Sequence, residues 1–488
     1  MRKRIMRKLI VLITGIVLMG NQVFSQQSNT LYFDNQLPQS ILLNPAQQND
    51  CKIYFGGLIV PFAGQVLPPI QFNYSNNNLK YLDVIHPGTG IMADSLIIDV
   101  PNMLKKIKKV EYLALETDVN WFSAGYHFKD FYFSFNMTDR IDAKISIPHD
   151  LVQLAWEGNG KSFIDNEIDF RGLGISATWY REFAVGVSKK INDKLTLGVR
   201  PKLLFGKVNL WTHRADFRWN TASSDYAYDF HTNMEINVTQ PYYTVNRLDY
   251  DYKGDSLIFK YDTLPQFGAT EVKQMIFDRK NPGMGLDLGA IYKLNNKITL
   301  YSSAVDLGFI AWKDNPITFK VDGDFTYDGW DVQPYLQEND SINQAHLDNF
   351  KDSVIHIFQP ESQTSKYYSY LTPKIYLGGT YQWKEKVNFA FLSRLEIYKY
   401  LIHPSFTVSA NAQLKKWFGG TISYSFINRS LANVGLAFIF KMGPVQTFIA
   451  TDNFLGFIWP QSTRNINFRF GTNIILKCKK QDSKTLIK

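Results

Sequence analysis

Two glycine-containing stretches match the spacing of nucleotide-binding motifs. Residues 155–162 fit a relaxed phosphate-binding loop, and residues 172–177 fit a dinucleotide fingerprint. Both motifs need a strand before the glycines and a helix after them, because the amides and dipole at the helix N-terminus hold the phosphate. Here the first stretch follows a short predicted helix, and the second leads into a strand-like run at 178–180. We interpret both matches as chance.

The other residue types that could do chemistry are scattered along the chain. The eight histidines include no His-Glu-x-x-His pair, and the two cysteines are not at a spacing that binds zinc. A nucleophilic site would need a serine, a histidine and a carboxylate to converge in the fold, and nothing in the sequence singles out such a set. The sequence therefore predicts a protein that is not an enzyme and that uses no metal or other cofactor.

The two cysteines, Cys51 and Cys478, stand just before the first predicted strand and just after the last one. In a closed sheet these strands are antiparallel neighbours, and an exported protein meets an oxidising compartment. A disulfide would form there if the two Cα atoms lie within about 7 Å of each other. Two independent free cysteines are the alternative.

The C-terminal part of the chain shows which elements position these residues. From 406 to 476 the sequence consists of short segments that alternate apolar and polar residues, joined by very short turns. Such alternation puts one set of side chains on each face of a strand. The polar face is rich in asparagine and also carries glutamine and arginine, which is typical of a wet lumen, and each segment is near the roughly 9–11 residues that cross a bilayer. We therefore predict an all-β fold, a transmembrane antiparallel β-barrel with a few short helices.

Tight turns set the number of strands. With a first strand at 53–62 and a last one at 466–476, six predicted hairpins give about fourteen strands. The hairpin turns are Lys129-Asp130, Asn192-Asp193, Asn295-Asn296, Lys384-Glu385, Lys415-Lys416 and Gly443-Pro444. If 226–239 and 256–261 formed a further hairpin, the barrel would have sixteen strands. Otherwise these two segments extend outside as a β-ribbon.

The N-terminus has the features of a signal peptide, predicted at 1–25: five basic residues precede an apolar run, and small residues stand before Gln26. We predict a periplasmic or plug segment at 26–52, the barrel at 53–476 with long excursions at 63–117, 210–282 and 311–372, and a basic periplasmic tail at 477–488. Bacterial barrels keep short turns in the periplasm and long loops outside. The arrangement predicts the outer membrane of a Gram-negative bacterium, with both termini in the periplasm.

Composition agrees with export to a membrane. The formal net charge of +9 does not indicate nucleic acid, because five of the positive charges lie in the predicted signal peptide. Mean hydropathy is −0.20, and no run of 18 apolar residues predicts a helical anchor. The aromatic content of 15% suits the girdles at the two membrane interfaces. A soluble β-sandwich or propeller secreted to the surface is the alternative.

Two short motifs resemble known families of outer-membrane barrels. Asn44, Pro45 and Ala46, just ahead of the first strand, resemble the opening of families that include the long-chain fatty-acid transporters and the Bacteroidota barrels that accompany gliding motility and type IX secretion. Residues 283–292, with 306–310 after the turn, resemble a hairpin of the gliding and type IX barrels. The closest resemblance is to a Bacteroidota outer-membrane family of unassigned function.

The resemblance implies two functions. A gliding or type IX barrel would be a non-enzymatic component or partner-binding scaffold of a surface machine, with envelope or secreted proteins as partners in addition to outer-membrane lipid. A fatty-acid transporter would carry small hydrophobic ligands. The positions that alternation places in the lumen include the polar residues Asp287, Arg394, Asn411 and Arg469, which favours the first function.

Overall fold

The computed structural model describes residues 29–57, 69–90, 93, 95–160, 162–240, 249–253, 256–260, 277–328, 361–398, 401–427 and 430–478. The predicted signal peptide and most of the predicted C-terminal tail lie outside this part of the chain. No helix of the described residues is long and apolar enough to cross a membrane.

The chain forms a closed antiparallel sheet with fourteen strands in its wall, as the turns predicted. The wall strands, in chain order, are β1 (Cys51–Gly57, continued by Ile70–Asn76), β2 (Val110–Phe128), β3 (Phe131–Pro148), β4 (Gly174–Lys190), β5 (Leu195–Thr221), β6 (Asn281–Lys293), β7 (Ile298–Trp312), β8 (Lys374–Lys384), β9 (Val387–Tyr398), β10 (Leu401–Lys415), β11 (Phe418–Ile427), β12 (Ser430–Met442), β13 (Val445–Thr451) and β14 (Asn465–Cys478). The sheet closes because both parts of β1 pair with β14 on one side and with β2 on the other.

Two boundaries near the start of the barrel differ from the prediction. The first strand ends at Gly57 rather than at residue 62, and Ile70–Asn76, which we had placed in an excursion, continues it. The excursion predicted at 63–117 also contains the start of β2 at Val110. The second part of β1 alternates over only seven residues, with Gln71 and Asn73 buried inside, so its pattern is too short to stand out from a loop.

The two later excursions are also partly sheet. Tyr228–Thr239 pairs with the outer half of β5 and with Pro316–Tyr327, which in turn pairs with Glu361–Thr364. We call these four segments the extension sheet, because they continue the wall beyond the barrel. Ser256–Lys260 pairs instead with Asp249–Lys253 in a separate hairpin, so the alternative of sixteen wall strands is wrong.

The wall is apolar on its outer face and polar on its inner face. On the neighbouring strands β10 and β11, Val408 is 52% exposed and Ile422 is 54% exposed, whereas Asn411 and Ser423 are buried. A soluble sandwich would bury the apolar set, so this arrangement is that of a barrel whose outer face contacts lipid.

Short helices lie in the connections between strands. Those of the described residues are α1 (Tyr81–Val84), α2 (Val100–Lys106), α3 (His149–Glu157) and α4 (Leu455–Ile458). Leu151 and Leu154 of α3 pack against a small apolar cluster that also contacts Phe217 and Trp219 of the extension sheet. The helix therefore supports the part of the wall that projects beyond the barrel.

Cys51 and Cys478 are register partners at the closing seam, and a disulfide joins them with the Cα atoms 3.7 Å apart. We predict that replacing both by serine lowers the free energy of unfolding by about 2–4 kcal/mol, because the bond links the ends of a very long loop. Peptide mapping of the exported protein without reductant should recover one linked peptide pair. Quantitative alkylation of both thiols under the same conditions would contradict the prediction.

Candidate functional site

Residues 29–50 form a plug inside the barrel. They fold through two 3₁₀ turns, Asn29–Leu31 and Pro38–Leu42, and most of their side chains are buried. A stretch this rich in asparagine and glutamine is buried only where the surrounding wall supplies hydrogen-bond partners. Of the segment predicted at 26–52 as periplasmic or plug, residues 29–50 thus lie within the lumen, whereas residues 51 and 52 begin β1.

The plug is fastened to the wall by polar contacts at several levels. The backbone amides of Asn29 and Thr30 donate to the Asp452 carboxylate at 3.1 and 2.8 Å. Gln39 and Asn473 exchange amide hydrogen bonds at 2.6 and 3.0 Å. The many neutral hydrogen bonds hold the plug in one position, although each contributes only about 1 kcal/mol.

An aromatic cluster fixes the middle of the plug. The Tyr32 ring stacks on Tyr376 of β8 with the centroids 5.1 Å apart, and Phe33 packs edge-on against Tyr301 of β7. The Tyr32 hydroxyl lies 2.9 Å from the Ser303 hydroxyl. These contacts bury apolar area between plug and wall, as do two further clusters around Leu31 and around Ile41.

The motif Asn44-Pro45-Ala46 forms the turn that seats the plug against wall glycines. The Asn44 side chain accepts from the Ala46 amide at 3.0 Å. A Cβ atom at Gly198 of β5 would lie 2.2 Å from the Pro45 carbonyl, and one at Gly289 of β6 would lie 2.2 Å from Asn44 Oδ1. Only glycine therefore lets the wall approach the turn so closely.

Asp34 makes the seating of the plug depend on pH. Burial raises the pKa of Asp34 to about 6, although the Gln36 amide and the more distant Lys441 favour its charged form and Asp50 opposes it. A released plug would ionise with a pKa near 3.8, so seating loses about 3 kcal/mol as the pH rises from about 4 to above 6. We expect Asp34→Asn to abolish this dependence.

The measurement uses a single added thiol in the plug, Ser40→Cys, whose position is buried. Its maleimide labelling rate is compared with that of the same protein carrying Asp34→Asn, at each pH between 5 and 7.5. The labelling rate of the protein with Asp34, divided by that of the Asp34→Asn variant, should rise with pH. A ratio that does not change would show that Asp34 has no part in seating.

A layer of buried charges lies directly beyond the plug, toward the extension sheet. Six residues from five strands form what we call the central lattice: Arg140, Glu182, Arg200, Lys202, Asp287 and Asp306. Arg200 donates to Asp287 at 2.5 Å and also to Glu182, and all three side chains are fully buried. Lys202 Nζ lies 2.6 Å from both Asp287 and Asp306. Three cations and three anions therefore neutralise one another.

Several ion pairs of this layer cross the lumen. Arg140 of β3 donates to both carboxylate oxygens of Asp306 of β7 at 3.0 and 3.1 Å. A second group links β2 to β8 through Glu116 and Lys374 at 3.5 Å, and β3 to β9 through Lys144 and Glu396 at 3.5 Å. In each of these ion pairs, the two strands that are joined are not neighbours in the wall. The pairs therefore tie opposite sides of the barrel together above the plug.

Asp306 has a left-handed backbone, with φ of 62°, at a bulge between β6 and β7. Its amide donates to the Asp287 carboxylate at 2.8 Å. A non-glycine residue in this region costs about 1–3 kcal/mol and persists only where its surroundings hold it. Ion pairs with Arg140 and Lys202 stabilise this conformation, and the bulge places the Asp306 carboxylate at the centre of the central lattice.

The four lumen residues predicted from alternation all have buried side chains on the inner face, but they are not one site. Asp287 belongs to the central lattice, and Arg394 pairs with Glu396. Asn411 bonds Asn388 at 2.8 Å in the lower lumen. Arg469 is 2% exposed, and its two terminal nitrogens have no hydrogen-bond partner among the described residues.

Most lattice residues were missed by the sequence analysis. They are single charged residues in strands whose alternation we had used only to count strands. The sequence feature that could have predicted the lattice is a lysine, arginine or carboxylate at an inward position of nearly every strand from β2 to β9.

A cavity of about 790 Å³ lies on the far side of the lattice from the plug. Its floor is charged and its walls are largely aromatic and aliphatic. The floor includes Asp118, Arg140, Asp306 and Lys374, and the walls include Tyr180, Trp211, Leu371 and Tyr398. Such a cavity can bind a group that carries both charge and apolar surface, and the described residues contain no cluster of three metal-binding side chains.

The fold and lumen define a transmembrane-type β-barrel closed by an N-terminal plug. The chain belongs to the family described as "Family of unknown function (DUF5723)", whose sequence model matches residues 45–452. No functionally curated protein matches the chain.

Solved structures to which the fold is similar include transporter barrels. The Pseudomonas putida toluene transporter TodX is 10% identical with a TM-score of 0.34, covering 89% of this chain and 91% of that one. A Pseudomonas aeruginosa FadL homologue is 9% identical with a TM-score of 0.39, covering 94% and 100%. The Ralstonia pickettii toluene transporter TbuX is 7% identical with a TM-score of 0.33, covering 90% and 94%. These values are too low to indicate a shared function.

Proposed function

We propose that this chain is an outer-membrane barrel that acts as a non-enzymatic, partner-binding scaffold of a cell-surface or secretion machine. The observation that carries the proposal is the closed lumen, in which the plug and the ion pairs beyond it fill successive levels of the barrel. A barrel that is sealed in this way works through the surfaces that it presents. The tight turns and both termini would face the periplasm, and the extension sheet would face outward.

The extension sheet supplies a binding surface of the right kind. β5 has 27 residues, whereas about 10 suffice to cross a bilayer, so its outer half projects roughly 40 Å at about 3.3 Å per residue. One face of the sheet carries alternating charges: Arg218 Nε lies 2.9 Å from Asp216, and His231 Nδ1 lies 2.6 Å from Asp324. Charge patterns of this type select a protein partner of complementary charge.

The test is purification of the tagged barrel from native outer membranes in mild detergent, followed by mass spectrometry of the bound proteins. We expect a stoichiometric envelope or secreted protein. A variant with Arg218→Glu and Asp322→Lys on the charged face should lose it, and Lys293→Gln at the turn end of β6 is the matched control. Recovery of the barrel without any stoichiometric partner would contradict the proposal.

Arg469 favours a second candidate, a carrier of small hydrophobic acids. A buried guanidinium whose terminal nitrogens have no described partner could hold a carboxylate. The lipid extract of the same preparation tests this. A fatty acid retained by the wild type and lost in Arg469→Gln, in the absence of a protein partner, would support the carrier and reject the scaffold.

A further inference from the structure

The lipid-facing side of the wall carries a buried ion pair. Asp139 of β3 and Arg181 of β4 are register partners on the outer face, in line with Phe133 and Val185, which are exposed by 41% and 51%. Arg181 donates two hydrogen bonds to the Asp139 carboxylate, both of 2.7 Å. Alternation along the strand places Arg181 on this lipid-facing side, where a charge is costly, so a bulge or a later strand start is expected to remove it. Instead, β4 runs unbroken from Gly174, and Asp139 neutralises the charge.

Two further cations lie beside this pair. A bulge in β5, opposite Trp179 and Tyr180 of β4, adds Lys207, which is 1% exposed and donates to the backbone carbonyl of Asp278. The Arg279 guanidinium lies 6.0 Å from the centre of the Phe205 ring. Neither Lys207 nor Arg279 forms an ion pair with a described residue. With Asp139 and Asp278 as the acidic residues beside Arg181, Lys207 and Arg279, the site has three cations and two anions.

These cations border an apolar groove of about 650 Å³ on the outside of the barrel. Its lining is mostly aromatic and includes Phe122, Phe135, Met137, Phe183 and Phe205. Residues 277–279, which precede β6, form one edge of the groove. An acyl chain is the ligand that matches an apolar groove on a lipid-facing wall.

The height of the groove matches a membrane interface. Arg181 is nine residues from the end of β4 at Lys190, which is about 23 Å along the membrane normal for a strand tilted by about 40°. The apolar band of such barrels is about 25 Å tall, measured from the side of the short turns. The cations therefore lie where the headgroups of the outer leaflet begin.

We propose that this groove is a binding site for a phosphate-bearing lipid of the outer leaflet. The acyl chain lies along the phenylalanines, and the phosphate contacts Lys207 and Arg279. The Asp139–Arg181 pair forms the polar floor, and Trp121 fixes it by donating from Nε1 to Asp139 at 2.8 Å. The site depends on the barrel being in a membrane but not on the scaffold function.

The experiment compares the wild type with Lys207→Gln and Arg279→Gln, all purified from native membranes in mild detergent. Native mass spectrometry and phosphorus analysis measure the lipid that stays bound. We expect about one phosphorylated lipid per wild-type barrel and at least about a tenfold loss in each variant, as for removal of one charged hydrogen bond. Lys293→Gln, an exposed lysine at the opposite rim, is the matched control and should retain the lipid.

A gel shift on heating confirms that each variant is folded, and Arg279 is exposed, so its variant should fold even if Lys207→Gln does not. Inorganic phosphate is added as a competitor and should not displace the lipid. The proposal is overturned if the wild type retains no phosphorylated lipid, if the folded variants retain as much as the control, or if inorganic phosphate alone occupies the site.

Discussion

Replacing Arg200 by methionine is expected to destabilise the barrel by about 3–5 kcal/mol, because it leaves the three buried carboxylates of the central lattice with only two cations. Methionine fills most of the volume, so the loss would come from the charge rather than from a cavity. The measurement is the denaturant midpoint of the folded band on a semi-native gel. Lys320→Met, on the exposed face of the extension sheet, is the control and should change stability by less than about 0.5 kcal/mol.

A compensating variant separates charge from packing. Adding Glu182→Gln to Arg200→Met restores the balance of charge, because two cations, Arg140 and Lys202, then face two anions, Asp287 and Asp306. Much of the lost stability should return, because neutral replacements of buried ion pairs are often tolerated. If Arg200→Met is as stable as Lys320→Met, the ion pairs that Arg200 makes with the two neighbouring strands do not stabilise the barrel.

Replacing Gly198 by valine is expected to drive the plug out of its seat. The new Cβ would lie 2.2 Å from the Pro45 carbonyl, and neither the wall nor the plug backbone can yield by the necessary distance without breaking its hydrogen bonds. We expect the maleimide labelling rate of Ser40→Cys to rise by at least about a hundredfold, equivalent to a loss of about 3 kcal/mol in seating. The barrel itself should stay folded, since the side chain enters the lumen and not the wall.

Gly160→Val is the matched control, because a Cβ atom there meets nothing within 4 Å. Its labelling rate should equal that of the parent. Slow labelling in Gly198→Val, with the barrel shown to be folded, would mean that the plug can shift within the lumen without leaving it, and that the close approach of Asn44-Pro45-Ala46 to the wall is not required.

Strand alternation predicted the faces of the wall well, because the direction of a side chain along a strand is a local property. Asp287 and Arg469 were placed inward from their parity alone, and the structure puts both side chains in the lumen. The partners of these residues could not be predicted in the same way. Arg140 and Asp306 are 166 residues apart, and they meet only because the closed sheet brings β3 and β7 to face each other.

Irregular backbone limited the prediction in two places. The bulges at Asp306 and Lys207 each shift the register by one residue, and alternation alone does not show at which residue such a shift occurs. Most of the extension sheet lies in segments that the sequence analysis assigned to long excursions, apart from 226–239, which it weighed as a wall strand or part of an outside β-ribbon. Tyr228–Thr239 alternates apolar and polar residues as the wall strands do, and alternation identifies a strand without showing whether it lies in the wall. The segment at 26–52 could be predicted only as either periplasmic or a plug, because a polar sequence suits both locations.

The most direct test of a closed, partner-binding barrel is permeation through proteoliposomes that contain the purified wild-type protein. Uptake of a small ionic dye and of a labelled long-chain fatty acid is measured against liposomes without protein. The account predicts that neither enters faster than in the empty liposomes, and that dye entry rises when Gly198→Val is combined with Arg140→Met. Rapid uptake of either compound through the wild-type barrel would contradict it.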